Sequence, residues 1–155
     1  MSKSINDYEY SYCHWDCWPS DEPEPDNYLD CFPVHIFRTK IDGQTVEVEF
    51  ASDEINRHQG VRHWNIGLTI GTKRKKFSNY HQRKDVSGKI GIKGLLFAKA
   101  AIQHFEQYYI GKDNALYAHW LDNRRRDVYA YGLKKMGFEF RQHNGHKVLY
   151  KIIEK

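Results

Sequence analysis

Three regularly spaced glycines and two lysines form the clearest candidate site for chemistry in the chain. Residues 85–96 read Asp-Val-Ser-Gly-Lys-Ile-Gly-Ile-Lys-Gly-Leu-Leu, and a helical apolar pattern follows them. Glycine allows the backbone to approach a ligand closely, and the free N–H groups of a first helical turn attract an anion. The segment therefore predicts a phosphate-binding turn, to which Lys89 and Lys93 add positive charge. The spacing of the three glycines matches neither the Walker A motif nor the dinucleotide-binding fingerprint. The alternative to a phosphate site is that these glycines allow turns and close packing of the helix.

A second set of residues, towards the N-terminus, has the spacing of a metal site. Three residues separate two of the cysteines, and three residues separate the third cysteine from a histidine. Zinc favours tetrahedral thiolate and imidazole ligands at such spacings. The predicted ligands are Cys13, Cys17, Cys31 and His35. His14 is a rival ligand, and the alternative without metal is three free thiols packed among aromatic residues.

Clustered basic residues interleaved with aromatic ones provide a third candidate site. Such clusters hold the phosphates of nucleic acid and stack its bases. A helix that begins with arginines gains from an anionic partner, because cations are unfavourable at a helix N-terminus. The predicted phosphate or nucleic-acid contacts are Lys73, Arg74, Lys75, Lys76, Arg83, Arg124 and Arg125. The alternatives are a solvated loop, a coenzyme phosphate site, and recognition of an acidic protein.

Charge divides the chain into two parts. Residues 1–31 carry eight acidic residues and one lysine, whereas residues 32–155 carry 12 acidic and 23 basic residues. This asymmetry predicts an acidic N-terminal extension over residues 1–31 and a basic domain over residues 32–155. The extension is either a solvated tail or an arm that lies over the basic domain.

Composition excludes several classes of protein. The 155 residues contain no apolar run of about 18, which argues against a membrane span. The first residues lack the basic-then-apolar pattern of a secretory signal, and three cysteines are too few for a disulfide framework. We therefore expect a cytoplasmic protein with no membrane partner.

The elements that must position these residues follow from apolar periodicity. Alternating runs on either side of Asp42-Gly43 predict a hairpin. Strands are predicted at residues 33–41, 45–50, 62–70, 115–120, 138–142 and 147–153. Helices are predicted from Gly91 to Gly111, with an apolar stripe at Ile92, Leu95, Leu96, Ile102 and Phe105, and over residues 124–136. This order predicts an α/β fold in which helices flank a sheet.

Three segments in this order resemble the GNAT family of N-acetyltransferases, in particular its short members from phages and mobile elements. They are the glycine segment at 87–94, Leu-Asp-Asn-Arg at 121–124, and Tyr-Ala-Tyr-Gly-Leu-Lys-Lys-Met-Gly-Phe at 129–138. The resemblance covers residues 32–155 in element order and residues 85–138 in motifs. It implies a mixed, mainly antiparallel sheet that receives acetyl-CoA between two parallel strands. Asp85 and Leu133 depart from the family pattern, which usually has a Gln or Arg and a Tyr at these positions.

The resemblance also implies roles for particular residues. The implied acetyl-CoA contacts are Val86, Ser87, Gly88, Lys89, Gly91, Lys93, Gly94 and Asn123. Strand 62–70 would bind the pantetheine arm, and Tyr129 or Tyr131 would protonate the leaving thiolate. His63 is a candidate general base by location. Glu47, Glu49 and His81 are others, although the alternation of the two glutamates predicts the solvent face of a strand.

Three functions remain open at this level, the third being a small interaction protein tethered by zinc. The first is acetyl transfer to an amine acceptor, which would be a protein lysine, a small amine or an aminoacyl-tRNA. The second is a non-catalytic module on the same scaffold that binds nucleic acid or a partner protein. The oligomeric state does not follow from the residues.

Overall fold

Seven strands form one sheet in the computed structural model of the chain, which describes residues 3–15, 33–52, 60–71, 88–119, 123–143 and 145–154. The described strands are β1 Tyr10–Trp15, β2 Val34–Ile41, β3 Gln44–Ser52, β4 Arg62–Gly71, β5 Asn114–Ala118, β6 Glu139–His143 and β7 His146–Ile152. The described α-helices are α1 Gly88–Tyr108 and α2 Asn123–Lys134, and a 3-10 turn spans Ile5–Asp7. Neither α-helix combines the length and apolarity needed to cross a bilayer.

The strand order is β1-β2-β3-β4-β5-β7-β6. The described strands pair antiparallel with their neighbours except β4 and β5, which run parallel. The predicted α/β fold with a mainly antiparallel sheet is therefore confirmed. The β2–β3 hairpin turns at Asp42 and Gly43, whose φ angles of 50° and 80° are those of the tight turn that the Asp-Gly sequence favours.

The sheet begins before residue 32, where the domain was expected to start. β1 pairs with β2 along its whole length, from Tyr10 opposite Thr39 to Trp15 opposite Val34. Ile5 is buried in the core beneath α1. Aromatic residues and a cysteine give β1 its strand propensity, a signal that the acidic composition of the segment hides. Residues 16–32 lie outside the described residues.

Helix α1 packs across one face of the sheet. It contacts β2, β3 and β4, and the Phe105 ring stacks on the Phe50 ring with centroids 4.1 Å apart. Of the expected apolar stripe, Leu95, Ile102 and Phe105 are buried. Ile92 and Leu96 are exposed, because the face of α1 that packs on the core contains Gly94, Phe97 and Ala101. These buried positions recur at helical spacing.

Candidate functional site

The junction between the two parallel strands is incomplete. β4 has ten residues, and β5 pairs only with its first five, ending at Ile66 opposite Ala118. Beyond this point residues 67–71 pair with β3 on one side, and no described strand pairs with their other side. We call this free edge of residues 67–71 the β4 notch. Among the residues that the structure describes, no strand pairs with the backbone N–H and C=O groups on this side, and a sheet edge of this kind can accept an extended ligand.

The first turns of α1 lie over the end of β4. A Cβ atom at Gly94 would lie 2.6 Å from Ile70 Cδ1 and 3.7 Å from Val46 Cγ1. The absence of a side chain at Gly94 therefore allows helix and sheet to approach closely. This is a packing role, whereas the sequence predicted contact with a ligand.

Four other predicted acetyl-CoA contacts lie at the starts of the two helices. Gly88, Lys89 and Gly91 begin α1, and Asn123 begins α2. The expected glycine turn is thus helical from Gly88 onwards. Lys93 forms an ion pair with Asp42 in the β2–β3 turn, with 2.7 Å between Nζ and Oδ2. Lys93 therefore already has a carboxylate partner.

Two of the implied contacts, Val86 and Ser87, lie outside the described residues. For Gly88, Lys89, Gly91 and Asn123 the structure describes the backbone, and their contacts with acetyl-CoA stay predictions.

Two buried carboxylates lie next to the β4 notch. Glu49 is directly opposite Gly67, and Glu47 is directly opposite Thr69. Their relative exposures are 3% and 4%, so the expectation that they face solvent is wrong. Residues 46–50 are all buried, so neither face of the sheet is open to solvent at this part of β3. Arg38 Nε donates a hydrogen bond of 2.7 Å to Glu47 Oε1, which gives this carboxylate a cationic partner.

Asn65 adds a polar atom on the same face. Alternation along β4 places Asn65 and Gly67 on one side of the sheet, and Asn65 is diagonal to Glu49 in the β3–β4 register. Its Oδ1 atom is buried, and it accepts no hydrogen bond from the described residues. Since an unsatisfied buried acceptor is costly, this oxygen is a place where a donor on a ligand would bind.

His63, a predicted base, belongs to a buried cluster of histidine and tyrosine side chains. Its Nε2 atom forms a hydrogen bond of 2.8 Å with the Tyr150 hydroxyl, and its ring stacks on His143 with centroids 4.4 Å apart. The Tyr117 ring lies 4.6 Å from His143. His63 lies on the same face as Asn65, two residues before it. Its role as a base stays a prediction.

The tyrosines predicted as proton donors lie on α2. Tyr131 is 72% exposed, and Lys135 Nζ lies 4.3 Å from its ring centroid. Leu133, at the position where the family usually has a tyrosine, is buried in the core. The structure therefore does not bring Tyr131 together with buried His63. The side chain of Tyr129 lies outside the described part of the chain.

The predicted zinc ligands are not brought together by the described residues. The β1–β2 register places Cys13 opposite Ile36 and His14 opposite His35, so the side chains of Cys13 and His35 project from opposite faces. The rival ligand His14 stacks on His35 with centroids 4.6 Å apart. The described residues contain no group of three metal-ligating side chains, and Cys17 and Cys31 lie outside them.

The predicted basic clusters lie mostly outside the described residues. This applies to Lys73, Arg74, Lys75, Lys76 and Arg83. Arg124 and Arg125 lie in the first turn of α2, where the structure describes the backbone. A different basic groove, which the sequence did not indicate, lies between α2 and the β6–β7 hairpin.

Comparisons of the chain with protein-family models, with curated proteins and with solved structures found no match. Functional inference therefore depends on the geometry of the β4 notch and on the residues around it.

Proposed function

We propose that the protein is an N-acetyltransferase that moves an acetyl group from acetyl-CoA to an amine acceptor. The β4 notch is the observation that carries this proposal. It is a free strand edge at the junction of two parallel strands, with α1 packed over the end of the same strand. The GNAT resemblance implies that acetyl-CoA enters between two parallel strands, and β4–β5 is the parallel pair among the described strands.

The residues around the notch suit acetyl-CoA in two ways. The pantetheine arm contains amide groups, which would pair with the free N–H and C=O groups of residues 67–71. The first turn of α1 contains two glycines and a lysine, and its N–H groups would attract the pyrophosphate. When bound, acetyl-CoA supplies the activated thioester carbonyl.

Glu49 and Asn65 have complementary roles towards an amine acceptor. The attacking amine must be neutral, and a carboxylate within reach accepts its proton. Glu49 lies across from Gly67, which has no side chain to separate the carboxylate from the notch. Asn65 Oδ1 accepts a hydrogen bond from an N–H group of the amine and orients it. The amine nitrogen would bond to the acetyl carbon as the carbon–sulfur bond of the thioester breaks, and the amine proton would pass to Glu49. The leaving thiolate would take a proton from water, to which Glu49 would return the proton that it accepted.

The first experiment measures acetyl-CoA binding by isothermal titration calorimetry. We expect micromolar binding by the wild-type protein and at least a tenfold loss in Gly91→Glu, since this change places a negative charge in the first turn of α1. Gly111→Glu is the matched control. It adds the same charge at a position where a Cβ atom meets nothing within 4 Å and the backbone is unstrained, so it should bind as wild type does.

Two results would overturn the proposal. One is a folded wild-type protein that produces no heat with acetyl-CoA. The other is an equal loss of binding in Gly91→Glu and Gly111→Glu, which would locate binding away from α1. If binding is seen, release of free thiol in the presence of a panel of amines then identifies the acceptor class.

A further inference from the structure

A basic and aromatic groove lies between the C-terminal half of α2 and the β6–β7 hairpin. Its main lining residues are Tyr131, Lys134, Lys135, Phe140 and Lys147. Two ammonium groups from different elements approach one aromatic ring. Lys134 Nζ of α2 lies 4.6 Å from the Phe140 ring centroid, and Lys147 Nζ of β7 lies 4.8 Å from it.

The three lysines of this groove have no carboxylate partner among the described residues. Their described contacts are with the two aromatic rings and the Tyr131 hydroxyl. Asp127 also lines the groove, at the turn of α2 before Tyr131. Three cations close together repel one another, and a bound anion would relieve this repulsion. The helix dipole favours lysines at the end of α2, but it does not account for Lys147, which comes from a strand.

Tyr131 gives the groove a second recognition element. Lys135 Nζ lies over one face of the Tyr131 ring, 4.3 Å from the ring centroid, yet Tyr131 is 72% exposed. An aromatic ring that is open to solvent on one face, next to several ammonium groups, is suited to stack a nucleobase while the cations bind the adjoining phosphates.

We infer that this groove binds single-stranded nucleic acid. The lysines contact consecutive phosphates, and a base stacks on Tyr131. An acidic peptide would satisfy the lysines but would make no use of the open ring. A regular duplex keeps its base faces stacked inside. The inference is independent of acetyl-CoA binding, because it uses none of the residues around the β4 notch.

Fluorescence anisotropy with a labelled 12-nucleotide oligouridylate tests the inference. We expect micromolar affinity at low salt and a linear fall of log affinity with log salt. Tyr131→Ala should weaken binding by about 5- to 150-fold, and Tyr131→Phe should restore it because the ring is kept. Each of Lys134→Gln and Lys147→Gln should reduce the salt slope by about 0.7.

Lys112→Gln is the matched control for charge. Lys112 is exposed in the turn after α1 and lies outside the groove. The inference fails if Lys112→Gln weakens binding as much as the groove variants do, since that would show diffuse attraction to a basic protein. It also fails if Tyr131→Ala binds normally, or if polyglutamate binds more tightly than the oligonucleotide. Thermal unfolding of each variant, followed by circular dichroism, shows that a loss of binding is not a loss of folding.

Discussion

The close contact between Gly94 and Ile70 predicts a pair of mutations that compensate each other. Gly94→Ala adds a methyl group 2.6 Å from Ile70 Cδ1, inside the buried interface of α1 and β4. Overpacking of this kind costs about 1–3 kcal/mol, whereas replacing a helical glycine by alanine contributes about 1 kcal/mol of stability. We expect Gly94→Ala alone to reduce the free energy of unfolding by about 1 kcal/mol.

Removing the opposing methyl group reverses the effect. Ile70→Val deletes Cδ1, and by itself it costs about 0.5–1.5 kcal/mol. In the double variant the alanine methyl occupies the space that Cδ1 has left, so the double variant should lie within about 0.5 kcal/mol of wild type. The two changes are therefore coupled by about 1–3 kcal/mol, in the range expected for residues in contact.

Urea unfolding followed by tryptophan fluorescence measures the four free energies of this cycle. Trp64 reports on the relevant core, since its ring lies 5.3 Å from Phe105. Additive single effects would refute the packing role of Gly94. The double variant also separates packing from ligand contact. If it regains stability but not acetyl-CoA binding, Gly94 contacts the ligand after all.

Three further predictions concern ionisable side chains. Glu49→Gln should lower kcat/KM by about 10²- to 10⁴-fold in a thiol-release assay. Glu47→Gln, the isosteric change two residues away, should chiefly lower the melting temperature because it weakens the contact with Arg38. Equal losses of rate in the two variants would contradict the role of Glu49 as the base. Burial, with a smaller effect of His146, lowers the pKa of His119 below 6.5. The stabilising contribution of the neutral imidazole is therefore complete above pH 6.5 and is lost as the pH falls. His119→Gln should flatten the fall of the melting temperature in acid, and an unchanged pH profile would count against this role of His119. Burial raises the pKa of Tyr12 to about 12. The neutral phenol therefore stabilises the fold below pH 10, and its contribution decreases as the pH rises towards 12. In an ultraviolet titration, Tyr12→Phe should show one late-ionising phenol fewer than the wild-type protein.

Local patterns were sufficient for most of the elements. The Asp-Gly turn identified the β2–β3 hairpin, and helical spacing located α1 to within three residues at each end. β1 was missed because its aromatic residues lie in a segment whose net charge resembles that of a solvated tail. Pairing partners far apart in the chain leave no such local signal, which is why the extent of the β4–β5 pairing could not be predicted.

The candidate site was harder to predict than the fold. Alternation placed Glu47 and Glu49 on one face of β3 but could not show that this face is covered. Tyr131 and Lys147 lie 16 positions apart in sequence and come together only because the hairpin folds back towards α2. Spacing along the chain identifies sites built from one segment, and both of these sites are built from several.

The single parallel ladder also determines how the chain can be divided. A cut between Gly71 and Gly88 interrupts no described strand or helix. The β1–β2, β2–β3 and β3–β4 ladders then stay in the first fragment, and the β5–β7 and β6–β7 ladders stay in the second. The fragments are joined by the short β4–β5 ladder, by the packing of α1 on the Ile5–Asp7 turn and on β2, β3 and β4, and by side-chain contacts such as Lys93–Asp42 and His63–Tyr150. Two co-expressed halves should therefore reassemble without a covalent link. β5 and α1 flank the β4 notch only when the halves meet, so fragment complementation would itself report on assembly of the site.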